Sequence, residues 1–215
     1  MKTFKRILFF ILIPAILTCI AYAPQINTYL KTNKGLIKIT QRKLFSYLNI
    51  PLLGTPDLKR LHQRLKEKGV KLGDPIFMRI FKKESELELW IKREDKFVLF
   101  TTYPICTWSG YLGPKLKRGD RQAPEGFYTV SKGQLNPNSK YHRSFNLGYP
   151  NLFDREHKRT GDYLMVHGNC VSAGCYAMTD PVITEIWSIV TASLKNGQKR
   201  FHVHAFPFRM TEINL

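Results

Sequence analysis

Acidic residues are scarce in this chain of 215 residues: 16 Asp and Glu stand against 34 Lys and Arg, a formal excess of +18. None of the 16 falls within residues 1–23, which do contain Lys2, Lys5 and Arg6; without that segment the counts are 31 and 16, an excess of +15. Such a chain is drawn to polyanions, whether nucleic acid, anionic lipid or the carboxylate- and phosphate-rich polymers of a bacterial envelope. It carries no zinc finger and no RNA-binding signature, so nucleic acid drops out as the expected partner. Internal repeats and low-complexity tracts are absent too, which excludes repeat architectures. Disorder is excluded by the 43% apolar and 13% aromatic content.

Only one long hydrophobic run exists, Ile7–Ala23, and Pro14 interrupts it. It follows the basic "MKTFKR" and ends in "AYA", the small-x-small pattern of a signal peptidase site. Residues 1–23 are therefore expected to be a signal peptide cleaved after Ala23. An uncleaved membrane anchor is the alternative, since the run is about the minimum length for a span. Cys19 follows "ILT", a poor lipoprotein box, and reads as an apolar signal residue. The exported protein would keep Cys106, Cys170 and Cys175, an odd number that leaves at least one thiol outside any structural bridge.

Residues 24–72 read as a short helical segment. In "TPDLKRLHQRLKEKGV", Leu58, Leu61 and Leu65 recur at helical spacing between Asp57 as N-cap and Gly69 as terminator. From residue 73 to 215 the period falls to about two. "IFMRIFKK", "ELELWIKR", "KFVLFTTYPIC", "QAPEGFYTV", "DYLMVH" and "KRFHVHAFPF" are strand candidates. Residues 132–161 form a long Gly-, Asn- and Pro-rich loop suited to binding. "DPVITEIWSIVTASLKNG" is the one substantial helix, with Asp180 as N-cap, Pro181 at its first position and Gly197 past its end. The expected fold is mainly β.

"MVHGNCVSAGCYAMTD", residues 165–180, concentrates the chemistry. His167 ends a strand, Gly168 permits a sharp turn, and Gly174 immediately precedes Cys175. A glycine-hinged loop can bring imidazole to thiol, and a thiol that gives up its proton becomes the reactive thiolate. Gly174 would let a substrate approach, and backbone N–H groups around Cys175 could hold a developing oxyanion. Ser172 reads as a supporting hydroxyl or a turn residue. Three other readings stay open on the residues alone: a Cys170–Cys175 disulfide, a metal site that lacks a fourth ligand and C-x-x-C spacing, and plain packing. Cys106 reads as a small buried hydrophobe and Cys170 as a loop-packing thiol. His202 and His204 share a strand face and read as structural or site-lining rather than as a metal pair.

The stretch resembles the active-site signature of the L,D-transpeptidase catalytic domain (YkuD domain) family. The usual pattern is a histidine, a loop, then Ser/Thr-His-Gly-Cys; here the loop is shorter and Ala173 replaces the second histidine. Both departures are similar to the YafK-like branch, as are "TYPICTWSGYLGPKLKRGDRQAPEGFYTV" and "GQLNPNSKYHRSFNLGYPN". The resemblance implies a β-sandwich-like catalytic domain in the periplasm that needs no metal and no organic cofactor. Cys175 would be the nucleophile and His167 the general base, oriented by the Gly168 carbonyl. The substrate would be the stem peptide of peptidoglycan, attacked at the L-centre of diaminopimelate, with an amine as acceptor. With water as acceptor, the same residues would make a hydrolase that releases a wall-anchored lipoprotein. A non-catalytic wall-binding module is the remaining alternative. Tyr141, His142 and Tyr149 are expected to line the groove and Arg209 to hold a substrate carboxylate. Membrane contact is expected only if residues 1–23 are retained.

Overall fold

Strand alternation builds the larger of two sheets. In the computed structural model, which describes residues 34–212 and 214, strand β1 (Ile76–Phe81) buries Ile76, Met78 and Ile80. Strand β2 (Glu86–Arg93) buries Leu87, Leu89 and Ile91. These residues recur every second position, so one face of each strand is apolar and must be covered. Strands β3 (Lys96–Pro104), β5 (Gly126–Ser131) and β10 (Arg200–Phe206) complete the sheet in the order β3-β2-β1-β10-β5. All its pairings are antiparallel except β1 with β10.

The second sheet is made of shorter pieces in the order β4-β9-β8-β7-β6. They are β4 (Thr107–Trp108), β6 (Leu135–Asn136), β7 (Ser144–Asn146), β8 (Met165–His167) and β9 (Tyr176–Ala177). Phe145 of this sheet meets Phe201 of the first edge to face, ring centroids 5.6 Å apart, inside one core that both sheets share. The fold is mainly β, as the alternation predicts. The strand expected over "DYLMVH" is shorter than its pattern suggests, because Tyr163 turns into the left-handed region (φ +53°) and is exposed. Residues 132–161 are not a bare loop: they contain β6, β7 and a one-turn helix.

The chain divides into units 1–41 and 42–215. Of the first, only the start of helix α1 (Lys34–Tyr47) is described; the apolar run Ile7–Ala23 and Cys19 lie outside the described residues. Within the second unit, Asp57 accepts from the Lys59 N–H and opens a single 3₁₀ turn, and α2 (Leu61–Glu67) follows. Gly69, at φ +65°, ends the segment, and Leu65 and Val70 join the core. Helix α3 is short (Leu152–Glu156), and α4 (Asp180–Lys195) is the substantial one. Thr179 rather than Asp180 takes the N-cap position of α4, with Pro181 in its first turn. Its buried face, Val182, Ile183, Ile186, Ile189 and Val190, fills the core. Among the described residues no helix is long and apolar enough to cross a membrane.

Candidate active site

His167 closes β8, and Cys175 immediately precedes β9. The two strands pair in parallel, His167 opposite Ala177. Side chains two positions apart along a strand face the same way, so Cys175 and His167 turn to one side of the sheet as diagonal neighbours. Parallel neighbours usually need a crossover of a dozen or more residues. Here residues 168–175 suffice, because the strands are only three and two residues long. The connection is tight, and its backbone shows it: Asn169, Cys170 and Gly174 are all left-handed, at φ +63°, +38° and +123°.

Each turn of this loop has an identifiable hold. The Gly168 N–H donates to the Tyr141 carbonyl at 3.0 Å, and a Cβ at Gly168 would collide with Asp180 Oδ1 and that same carbonyl. Only glycine fits there. Asp180 Oδ1 accepts from the Asn169 N–H at 2.7 Å, so the residue read as a helix cap instead anchors the loop. Ser172 Oγ donates to the Cys175 carbonyl (2.7 Å) and accepts from the N–H groups of Cys175 (3.1 Å) and Gly174 (3.3 Å). Those two N–H groups are thus engaged by the Ser172 hydroxyl in this state.

The imidazole is buried, and Nδ1 lies 2.6 Å from the Gly168 carbonyl oxygen. A carbonyl can only accept, so in the neutral ring the proton sits on Nδ1 and the lone pair on Nε2. Tyr141 stacks on the ring at a centroid distance of 4.7 Å. Burial pushes the His167 pKa down, and the Gly168 carbonyl and Asp180 oppose it only in part. The Cys175 thiol is half-buried, and burial pushes its pKa up; the Met165 N–H, 3.4 Å from Sγ, and the charge of Lys115 act the other way. Both shifts favour the uncharged forms, a neutral thiol and a neutral imidazole. No hydrogen bond joins the two side chains in this state: Sγ donates to the Tyr163 carbonyl at 3.7 Å. A rotation of the thiol towards Nε2 must precede proton transfer, a tightening common when substrate arrives.

The other cysteines overturn their reading. Cys106 and Cys170 form a disulfide, Cα atoms 5.3 Å apart, and among the described residues only Cys175 is free. Neither is a simple packing residue, and the Cys170–Cys175 bridge does not form. Tyr149 is buried in the core and its hydroxyl donates to the Lys115 carbonyl, so it offers no groove surface. Arg209 is held by Glu86 and Glu88 of β2, in the other sheet, so its charge is already matched. His142 bonds Thr184 of α4. His202 and His204 lie on the outer face of β10, where His204 meets Phe77 and Phe127 edge to face.

A family model of the L,D-transpeptidase catalytic domain (YkuD) matches residues 79–199, more than half of the chain. The chain belongs to this L,D-transpeptidase family. It is 46% identical over 161 residues to the Escherichia coli (strain K12) protein named "Putative L,D-transpeptidase YafK", a match covering 75% of this chain and 63% of that one. The relative from Escherichia coli O157:H7 matches equally. The chain thus spans about 63% of the length of the curated relatives it matches. Among solved structures, the helical cell shape determining protein Pgp2 from Campylobacter jejuni aligns with a TM-score of 0.49 at 21% identity, over 69% of this chain and 55% of that one. Bd1075 of Bdellovibrio bacteriovorus aligns at 0.43, also at 21% identity, over 63% and 49%. Within this L,D-transpeptidase domain, the electrostatics make a prediction. Cys175 in the wild type should alkylate below the thiol's own pKa, because burial favours the neutral imidazole, which can take the thiol proton as the reagent attacks. His167→Ala should react slowly until the pH approaches the thiol's own pKa, which burial holds above its ordinary value. Iodoacetamide labelling across a pH series checks this; equal rates at pH 6 would remove His167 from the chemistry.

Proposed function

We propose that this protein is an exported, peptidoglycan-directed cysteine acyltransferase in which Cys175 is the nucleophile and His167 the general base. The observation that supports it best is the parallel β8–β9 pairing, which turns thiol and imidazole to one sheet face while the Gly168 carbonyl holds the Nδ1 proton. The substrate comes from the family, not from the geometry. The thiol proton passes to His167 Nε2 as Sγ attacks the carbonyl on the L-centre of diaminopimelate. The tetrahedral intermediate collapses, the departing amine takes the proton from Nε2, and a thioester remains on Cys175. An amine acceptor then surrenders a proton to Nε2, attacks the thioester and forms a cross-link, and the sulfur leaves to recover the proton. No step calls on a metal or an organic cofactor. Gly174 and Ser172 shape the loop that carries the nucleophile.

Mass spectrometry of purified muropeptides incubated with the protein, with and without an added amine, tests the reading. Adducts to the amine identify acyl transfer; shortened stems in both arms identify water as the acceptor and hydrolysis as the reaction. Unchanged muropeptides in both arms would leave the acyltransferase reading without support.

The excess of cations should act on the polymer rather than on the chemistry. Exposed charges are screened over about 8 Å at physiological ionic strength. Cosedimentation with isolated wall sacculi is therefore expected to weaken steeply from low to moderate salt, while turnover of a small soluble muropeptide changes little. Retention that does not respond to salt would assign recognition to shape and hydrogen bonds in the groove.

A further inference from the structure

The Cys106–Cys170 bridge joins the end of β3 to the loop that follows His167, and its surroundings indicate more than a staple between distant segments. Cys106 and Cys170 are both buried, with Leu52 and Phe45 packed over them. Next to the bridge, the Cys106 N–H donates to the Ala177 carbonyl (2.8 Å) and the Cys170 N–H to the Met178 carbonyl (3.2 Å). The Met178 N–H donates to the His167 carbonyl (2.6 Å). The bridge is therefore tied by main-chain bonds to β8, which carries His167, through Met178, and to β9, which follows Cys175. It also ends in a stretch of unusual backbone conformation. Asn169 and Cys170 are consecutive non-glycine residues in the left-handed region, which side chains disfavour. The φ of Asn169 orients the peptide that begins at the Gly168 carbonyl, the acceptor of the His167 Nδ1 proton, and Cys170 fixes the residue that follows.

We propose that the Cys106–Cys170 disulfide is a positioning element of the active site: it holds Asn169 and Cys170 left-handed, and through them aims the Gly168 carbonyl at His167. Without the bridge the Gly168–Asn169 peptide keeps only the Asn169 N–H bond to Asp180 Oδ1 as a hold of its own, and the Gly168 carbonyl, less well aimed, no longer fixes Nε2 as the basic nitrogen. The two cysteines touch no reacting atom; they act through the backbone. This inference rests on His167 being the base.

The test compares the full chain with Cys106→Ala/Cys170→Ala and with Cys106→Ala/Cys170→Gly, reading kcat and KM on muropeptides, Cys175 alkylation at pH 6, and thermal unfolding. The alanine pair is expected to lose at least about tenfold in kcat with little change in KM, the scale of a misplaced catalytic group, and to alkylate as slowly as His167→Ala. Glycine at 170 adopts a left-handed φ freely but raises the entropy of the unfolded chain. The glycine variant should therefore regain activity over the alanine pair while unfolding no later. A bridge that served stability alone would give the opposite, with activity following the unfolding temperature. Wild-type kcat and alkylation in a folded alanine pair would overturn the proposal. If the alanine pair does not fold, Asn169→Ala and Asn169→Gly in the bridged protein decide. The alanine variant should lose kcat and the glycine variant keep it, and equal activities would overturn the proposal. His167→Ala in the bridged protein separates the two ideas. If it alkylates like the wild type, the base assignment fails; if only the bridge variants do, the positioning role fails alone.

Discussion

Cys175→Ser should lower muropeptide turnover by at least about 10⁴-fold, the scale on which removal of a nucleophile is felt in well-characterised acyl-transfer enzymes. The fold should survive, because Cys175 is the one cysteine among those described that forms no bridge, and its side chain makes only two long contacts, to the Met165 N–H and the Tyr163 carbonyl. The loss is chemical. Burial already makes His167 a weaker base than a free imidazole, and a serine hydroxyl is far harder to ionise than a thiol. Mass spectrometry of the products, with circular dichroism to check the fold, measures it. A serine variant that kept most of its turnover would move the nucleophile elsewhere.

Loss of the disulfide should produce the largest change in stability. Cys106 and Cys170 are 64 residues apart in sequence, and a loop of that length, once freed, restores unfolded-state entropy worth about 4 kcal/mol. For a chain of this size the unfolding midpoint should fall by roughly 10 °C. The measurement is thermal unfolding of Cys106→Ala/Cys170→Ala in a Cys175→Ser background, which prevents thiol exchange. A midpoint within about 2 °C of the bridged protein would mean that the bridge hardly constrains the unfolded chain. On the sequence alone, Cys106→Ser and Cys170→Ser are expected to keep most of the activity, since each reads as a packing residue. The bridge adds an effect on stability that this reading does not include.

The reason the bridge was illegible is physical. Nothing local couples residues 106 and 170; they meet beside the pairing of β4 with β9, to which their N–H groups bond, and both strands are two residues long. Such pieces carry no periodicity to read. Ser172 was visible as a hydroxyl near the thiol, but its choice of partners depends on how tightly the loop curls. Tyr149 and Arg209 were misjudged for the same reason. A tyrosine in a Gly- and Pro-rich stretch and an arginine near the C-terminus look available, yet one is sealed in the core and the other is matched by Glu86 and Glu88. Asp180 and Met165 gave no functional signal, because what they offer the site is a single carboxylate oxygen and a backbone N–H.

By itself the sequence determined the features that depend on near neighbours: alternation in β1, β2 and β10, the helix after Asp180, the glycine-flanked turn between His167 and Cys175, and the family to which that turn belongs. These follow from side-chain size, backbone freedom and spacing, which are written locally. Tertiary structure alone decided which sulfurs join, which charges are already paired, that Nδ1 of His167 faces a carbonyl, and that burial shifts thiol and imidazole further towards their uncharged forms. Each of these is set by distance and burial between segments far apart in the chain, and burial acts on a titrating group only once the surrounding strands have closed over it.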